Sequence, residues 1–143
     1  MNNVETLVNI PIILEKGAKW FTSLGTDESK GTKVFSISGK VENTGLVEVE
    51  MGTKLRDIIF RAAGGIKNGK RFKAVHIGGP SGGCLSEEHL DIIIDYDAIL
   101  LTGTSLGSAG MVVVAAWMLL CPRVAVPPAV TGRAAPTAPT DSA

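Results

Sequence analysis

The hydrophobic period of the chain switches at Gly31, and that switch constrains the fold more than any other feature. Within the run GTKVFSISGKVENTGLVEVEMG, Gly31 to Gly52, the residues Phe35 and Ile37 alternate with Ser36 and Ser38. A period of two places one set of side chains on a buried face and the other in water, so Lys33–Gly39 is predicted to be a half-buried strand. Asn43-Thr44-Gly45 supplies turn chemistry, and Val47 and Val49 then alternate with Glu48 and Glu50 over Leu46–Glu50. The pair reads as a hairpin.

A helix follows. Thr53 is the expected N-cap, and Leu55, Ile58, Ile59 and Ala62 fall at i, i+3, i+4 and i+7, one apolar stripe closed by Gly64-Gly65. Phe72 to Ile77 returns to extended character and ends at Gly78-Gly79-Pro80. Ile92 to Ile94 is expected as a short strand, Tyr96 to Leu101 as a short helical turn, and Met111 to Val114 as a final strand. A hairpin, one helix across it and further strands make the order of an α+β, β-grasp (ubiquitin-like) domain.

The flanks differ from this central unit. Val4, Leu7 and Val8 recur at helical spacing, and Pro11 is expected to limit that helix. A second short helix is expected from about Leu14 to Leu24, with Trp20 and Phe21 packing inward and Gly25 as its stop. Thr26 to Gly31 reads as a polar surface loop. At the other end, Pro122, Pro127, Pro128, Pro136 and Pro139 stand among alanines and small polar residues, which predicts disorder from about Arg123 onward. The division expected is 1–25 helical, 31–115 β-grasp, and 116–143 an aberrant or disordered tail.

Composition removes several function classes. Lys and Arg number 14 and Asp and Glu also 14, so no electrostatic footprint favours nucleic acid or anionic lipid. The basic cluster Lys67–Lys73, KNGKRFK, has only Phe72 as an aromatic and reads as an exposed turn. The apolar run Ala109–Cys121 is shorter than the roughly 18–20 residues that cross a bilayer. MNNVETLVNI lacks the basic segment and apolar core of a secretory signal. The cytoplasm is the expected location.

Candidate chemistry is sparse. Gly78-Gly79-Pro80-Ser81-Gly82-Gly83 lacks both GxxxxGK[ST] and a GxGxxG opening a helix, so it is expected to be a tight structural loop. The two cysteines, Cys84 and Cys121, form no CxxC pair. Cys84 has no His or Asp at a spacing that marks a catalytic set and reads as a semi-buried thiol. His76 and His89 are expected to be structural or surface residues. Asp95 and Asp97 flank Tyr96 as turn or cap residues. Asn2, Asn3 and Thr6, in NNVET before a helix, offer amide and hydroxyl groups; ordinary N-capping and anion binding are both open there.

The Gly31–Gly52 run, the run FKAVHIGGPSGGCLSEEHLD from Phe72 to Asp91, and NNVET at Asn2–Thr6 resemble one family. It is the NADH-binding flavoprotein subunit of respiratory complex I, with its relatives in NAD(P)-reducing hydrogenases and formate dehydrogenases. The resemblance runs from Asn2 to about Val114. It implies that residues 1–25 end an FMN-binding domain and that 31–115 form a β-grasp of the soluble-ligand-binding (SLBB) type. It further implies that Asn3 and Thr6, with Asn2, contact FMN, while the glycine loop packs against neighbouring domains.

In that family hydride passes from NADH to FMN, and electrons then go singly to a 4Fe-4S cluster. The flavin-binding glycine segment, the nicotinamide-reading residues and the cluster cysteines have no counterpart here. The expectation is therefore a fragment of an oxidoreductase, inactive alone, whose partners are other subunits of an NADH dehydrogenase or hydrogenase complex peripheral to a membrane. The family pattern breaks at about Val114, as composition does, so the tail is expected to be out of frame or foreign; an uninterrupted reading frame through codon 115 in the source DNA would exclude that. A free-standing SLBB ligand-binding or interdomain module is the alternative, since such domains also occur in polysaccharide-export and cobalamin-related proteins.

Overall fold

The computed structural model describes residues 3–116. Asn2 and the tail from 117 onward, with Cys121, lie outside the described residues. A helix α1 (Val4–Lys16) and a short α2 (Ala18–Thr22) precede a five-stranded mixed sheet. Its strands are β1 (Thr32–Gly39), β2 (Gly45–Glu50), β3 (Phe72–Ile77), β4 (Gly83–Ser86) and β5 (Gly110–Ala115), in the spatial order β2-β1-β5-β3-β4. The last strand enters the middle of the sheet, parallel to β1 and antiparallel to β3. Hairpin, crossing helix and central parallel strand together are the β-grasp arrangement expected from the sequence.

The hairpin forms as the alternation requires. Phe35 pairs with Val47 and Ser36 with Leu46 in an antiparallel register. Lys33, Phe35 and Ile37 face inward along β1, while Val34, Ser36 and Ser38 face out. Across the inner face runs α3 (Leu55–Asp57), which continues as a π turn over Ile58–Ala62. Leu55, Ile58 and Ile59 are fully buried against Phe35, Ile37, Val75, Met111 and Val113. Burying a large aliphatic side chain of this kind stabilises by about 1.5–3 kcal/mol.

Five local expectations are corrected. The apolar stripe ends at buried Ala63, with Ala62 exposed, because the Ala63 N–H donates to the Ile58 carbonyl at 3.0 Å and this wider turn adds a residue. Thr53 does not cap α3: its hydroxyl donates to the Glu50 carbonyl at 2.7 Å, and Lys54 takes the cap position. Ile92–Ile94 is a single bridge, Lys54 to Ile93, held where Leu55 N–H meets the Ile92 carbonyl. The glycine loop expected to run to Gly83 ends one residue earlier, because Gly83–Ser86 is strand β4, paired with β3 from Ile77–Gly83 to Ala74–Ser86. Pro11 does not break α1. The carbonyl it leaves without an N–H partner, that of Leu7, belongs to a helix with no buried residue, so water can reach it.

The second helix is shorter than Leu14–Leu24. Gly17, at φ 88°, caps α1 with its N–H on the Ile13 carbonyl and turns the chain before α2 starts. Trp20 and Phe21 are half-buried, and the Lys16 ammonium lies 4.5 Å above the Trp20 ring. Asp95 is the N-cap of α4 (Tyr96–Leu101), accepting from the Asp97 N–H at 3.0 Å. The Thr26 hydroxyl also donates to it, and that bond holds the Asp95 carboxyl below the usual carboxylate range.

Candidate functional site

The chemistry-bearing residues of the N-terminal segment sit on the first turn of α1. Asn3 is the N-cap, in extended backbone, and its Oδ1 accepts from the Glu5 N–H at 3.0 Å. Ordinary capping is thus realised. The bond uses one end of the carboxamide and leaves Nδ2 without a protein partner among the described residues. Asn3 and Thr6 are exposed. Thr6 lines a cleft of about 260 Å³ between α1 and the sheet, with Ile13, Phe21, Lys33, Met51 and Tyr96 among its walls.

Glu5, between these two residues, carries the contact of α1 with the sheet. Its Oε1 accepts from the Val34 N–H at 2.9 Å and its Oε2 from the Lys33 ammonium at 3.1 Å. The Lys33 side chain is 10% exposed and that of Glu5 30%. Burial lowers the pKa of Lys33, but the Glu5 carboxylate and Tyr96 together outweigh it and hold the ammonium above its ordinary value. The Tyr96 ring centre stands 5.9 Å from the same nitrogen. Sequence reasoning missed this pair. The available signal was a lysine at an inward position of β1, in register with Phe35 and Ile37.

The glycine loop turns inward on its own domain. It joins β3 to β4, with a 3-10 turn over Gly79–Ser81 and the Gly82 N–H on the Gly79 carbonyl at 2.9 Å. A Cβ at Gly82 would stand 1.7 Å from the Ile77 carbonyl oxygen, and one at Gly78 would stand 2.1 Å from that of Ser105. Backbone packed this closely accounts for the glycines without a ligand.

The same hairpin places His76 opposite Cys84, and His76 opposite Val112, so Ser38, Val112, His76 and Cys84 form one row across the outer face. Spacing along the chain gives no hint of that juxtaposition. His89 pairs its Nδ1 with the Ser86 hydroxyl at 3.0 Å. Among the described residues no three His, Cys, Asp or Glu side chains come together as a metal-holding group. The basic run is an exposed turn at Lys67–Gly69, followed by an Arg71–Glu87 ion pair of 2.7 Å. No helix among the described residues is long and apolar enough to cross a membrane.

Comparison with known proteins matches this architecture to one lineage. The SLBB domain family matches residues 34–85, from β1 through β4. The NADP-reducing hydrogenase subunit HndC of Solidesulfovibrio fructosivorans is 54% identical over 113 residues, covering 79% of this chain and 23% of that protein. An NADH-quinone oxidoreductase subunit of Escherichia coli (strain K12) is 41% identical over 109 residues, covering 76% of this chain and 24% of that protein. The crystal structure of an NAD+-reducing NiFe hydrogenase in the air-oxidised state superimposes with a TM-score of 0.69 at 32% identity. That match covers 82% of this chain and 19% of the hydrogenase chain. The chain therefore spans about a quarter of the length of the curated relatives named here. Carrying an SLBB domain on a β-grasp sheet, it is homologous over most of its length to a segment shared by this NADH-quinone oxidoreductase subunit and the hydrogenase subunit HndC.

Proposed function

We propose that this chain is part of an NADH-oxidising flavoprotein subunit, in which electrons pass from NADH through FMN to an iron–sulfur cluster. The segment contributes the Asn3 and Thr6 side of the flavin site, with Asn2 beside them, and the SLBB scaffold that holds it. The observation that carries this reading is the placement of Asn3 and Thr6 on one exposed helical turn, Nδ2 of Asn3 open to a ligand, within a chain 54% identical to HndC.

The domain division is part of the same proposal. Residues 1–25 read as the end of a flavin domain and 31–115 as the SLBB unit. Along α1, Val4 (72%), Leu7 (50%), Val8 (60%) and Leu14 (81%) are exposed, Val4 and Val8 bordering a groove with Thr32 and Val34 of β1, and apolar surface of this kind suits a further domain rather than water. The FMN fit is partial. An N-capped first turn suits one edge of the mononucleotide. The described residues bring together no three His, Cys, Asp or Glu side chains that could hold a cluster, so no electron-transfer step is assigned to them. By this reading the chain alone does not turn over NADH. Its partners are the other subunits of an NADH dehydrogenase or hydrogenase complex, and its place is the cytoplasm, peripheral to any membrane component.

Titration of the 143-residue chain with FMN, followed by quenching of flavin fluorescence, tests the flavin-side role. Saturable quenching is expected, with Kd in the region of about 1 mM given so few contacts. Asn3→Ala weakens it about tenfold and also removes the cap, at a cost of about 1 kcal/mol of stability. Asn3→Ser keeps the cap and loses the carboxamide, so it weakens FMN without that cost. Absence of saturation in the parent chain would leave only the SLBB scaffold, the free-standing module.

A further inference from the structure

We propose that Glu5 is a positioning residue, a carboxylate latch that fixes the first turn of α1, and with it Asn3 and Thr6, against β1. The importance of that turn for FMN rests on the reading above; the latch itself rests on geometry.

The geometry starts from a gap in the sheet. The Ser36 N–H donates to the Ala109 carbonyl at 3.1 Å, on the edge of β1 that faces β5. Alternate residues of a strand share an edge, so the Val34 N–H points the same way. The β1–β5 pairing begins only at Ser36 and Gly110, so Val34 lies before the first strand partner on that side. The Glu5 carboxylate stands where that partner would be, with Oε1 2.9 Å from the Val34 nitrogen. A side chain on α1 thus completes the hydrogen bonding of β1.

Lys33 makes the latch two-sided. An alternation that puts Phe35 and Ile37 inward would favour an apolar residue at Lys33, and a nearly buried lysine there needs a counter-charge. Glu5 Oε2 provides it at 3.1 Å. One carboxylate therefore binds a backbone amide and a buried ammonium at adjacent positions, which defines both the distance and the rotation of the helix. Carboxylate bonds to N–H and to ammonium are among the stronger hydrogen bonds in proteins. Apolar packing adds little competing restraint, because α1 has no buried residue. Glu5 also lies inside the turn it positions, next to Thr6 and with its own N–H on Asn3 Oδ1.

The test uses the whole chain with Glu5→Ala and Glu5→Gln, reading amide hydrogen exchange residue by residue and FMN quenching in parallel. In Glu5→Ala the Val34 amide is expected to exchange at least about tenfold faster, as one charge-assisted bond is lost. Val75 and Val113 in the sheet centre keep their protection, which shows that the fold is intact. FMN binding weakens at least about fivefold although Asn3 and Thr6 are unchanged. Glu5→Gln, which keeps an acceptor for Val34 but no charge for Lys33, falls between the two. Unchanged Val34 exchange in Glu5→Ala overturns the latch. Faster exchange with undiminished FMN binding overturns its positioning role. Should the parent chain bind no FMN, the flavin reading fails, and Val34 exchange alone still decides whether the latch exists.

Discussion

Phe35→Ala is expected to lower the free energy of unfolding by about 3–5 kcal/mol, the largest loss for any single side chain in this domain. Phe35 is fully buried at the middle of β1, where α3 crosses the sheet. Truncation removes the transfer energy of the ring and leaves a cavity whose walls are strand backbone and the fully buried Leu55, Ile58 and Ile59. Those walls belong to regular elements and collapse poorly, which puts the cost at the upper end of the range. In urea the midpoint should fall while the slope stays constant. A loss below about 1 kcal/mol would mean that the sheet and α3 do not pack as described.

Gly82→Ala is expected to cost about 3 kcal/mol, for a different reason. The backbone at Gly82 has φ −84°, which any residue adopts, so the penalty is contact alone. A methyl group would stand 1.7 Å from the Ile77 carbonyl oxygen and 2.9 Å from Gly78 Cα. Both neighbours are backbone, and neither can rotate away. Relief requires the β3–β4 hairpin to open, and with it the register that sets His76 opposite Cys84. The same thermal or urea measurement checks it. If Gly82→Ala were neutral, the loop would not be the tight structural turn inferred here, and a ligand role for its glycines would need reopening.

The hairpin and the crossing helix were legible in the sequence, while finer features stayed hidden. Alternation at Phe35, Ile37, Val47 and Val49 revealed the hairpin because a strand with one wet face leaves a period of two. The stripe Leu55, Ile58, Ile59 revealed the crossing helix. It could not reveal the π turn, since one added residue moves the buried position from Ala62 to Ala63 without changing composition. Strand β4 was obscured by its glycine-rich entry, and its pairing with β3, itself legible as Phe72–Ile77, became visible only in three dimensions. Thr53 looked like a cap because hydroxyl residues before a helix usually are, yet the nearby Glu50 carbonyl took its proton.

The candidate site was legible only in part. NNVET drew attention to the first turn of α1, and Asn3 caps it. Local spacing carried no information on what that turn rests against. Glu5 and Lys33 are distant in sequence, and no spacing along the chain links them. The clue was a local inconsistency, a charged residue at an inward strand position, and such inconsistencies tend to mark functional or strained places.

The most direct measurement is an amide chemical-shift titration of the labelled chain with FMN. The account predicts saturable shifts at Glu5, Thr6 and Val34, with the Gly78–Gly83 amides unmoved. Shifts centred on the glycine loop, with the first turn of α1 silent, would contradict it.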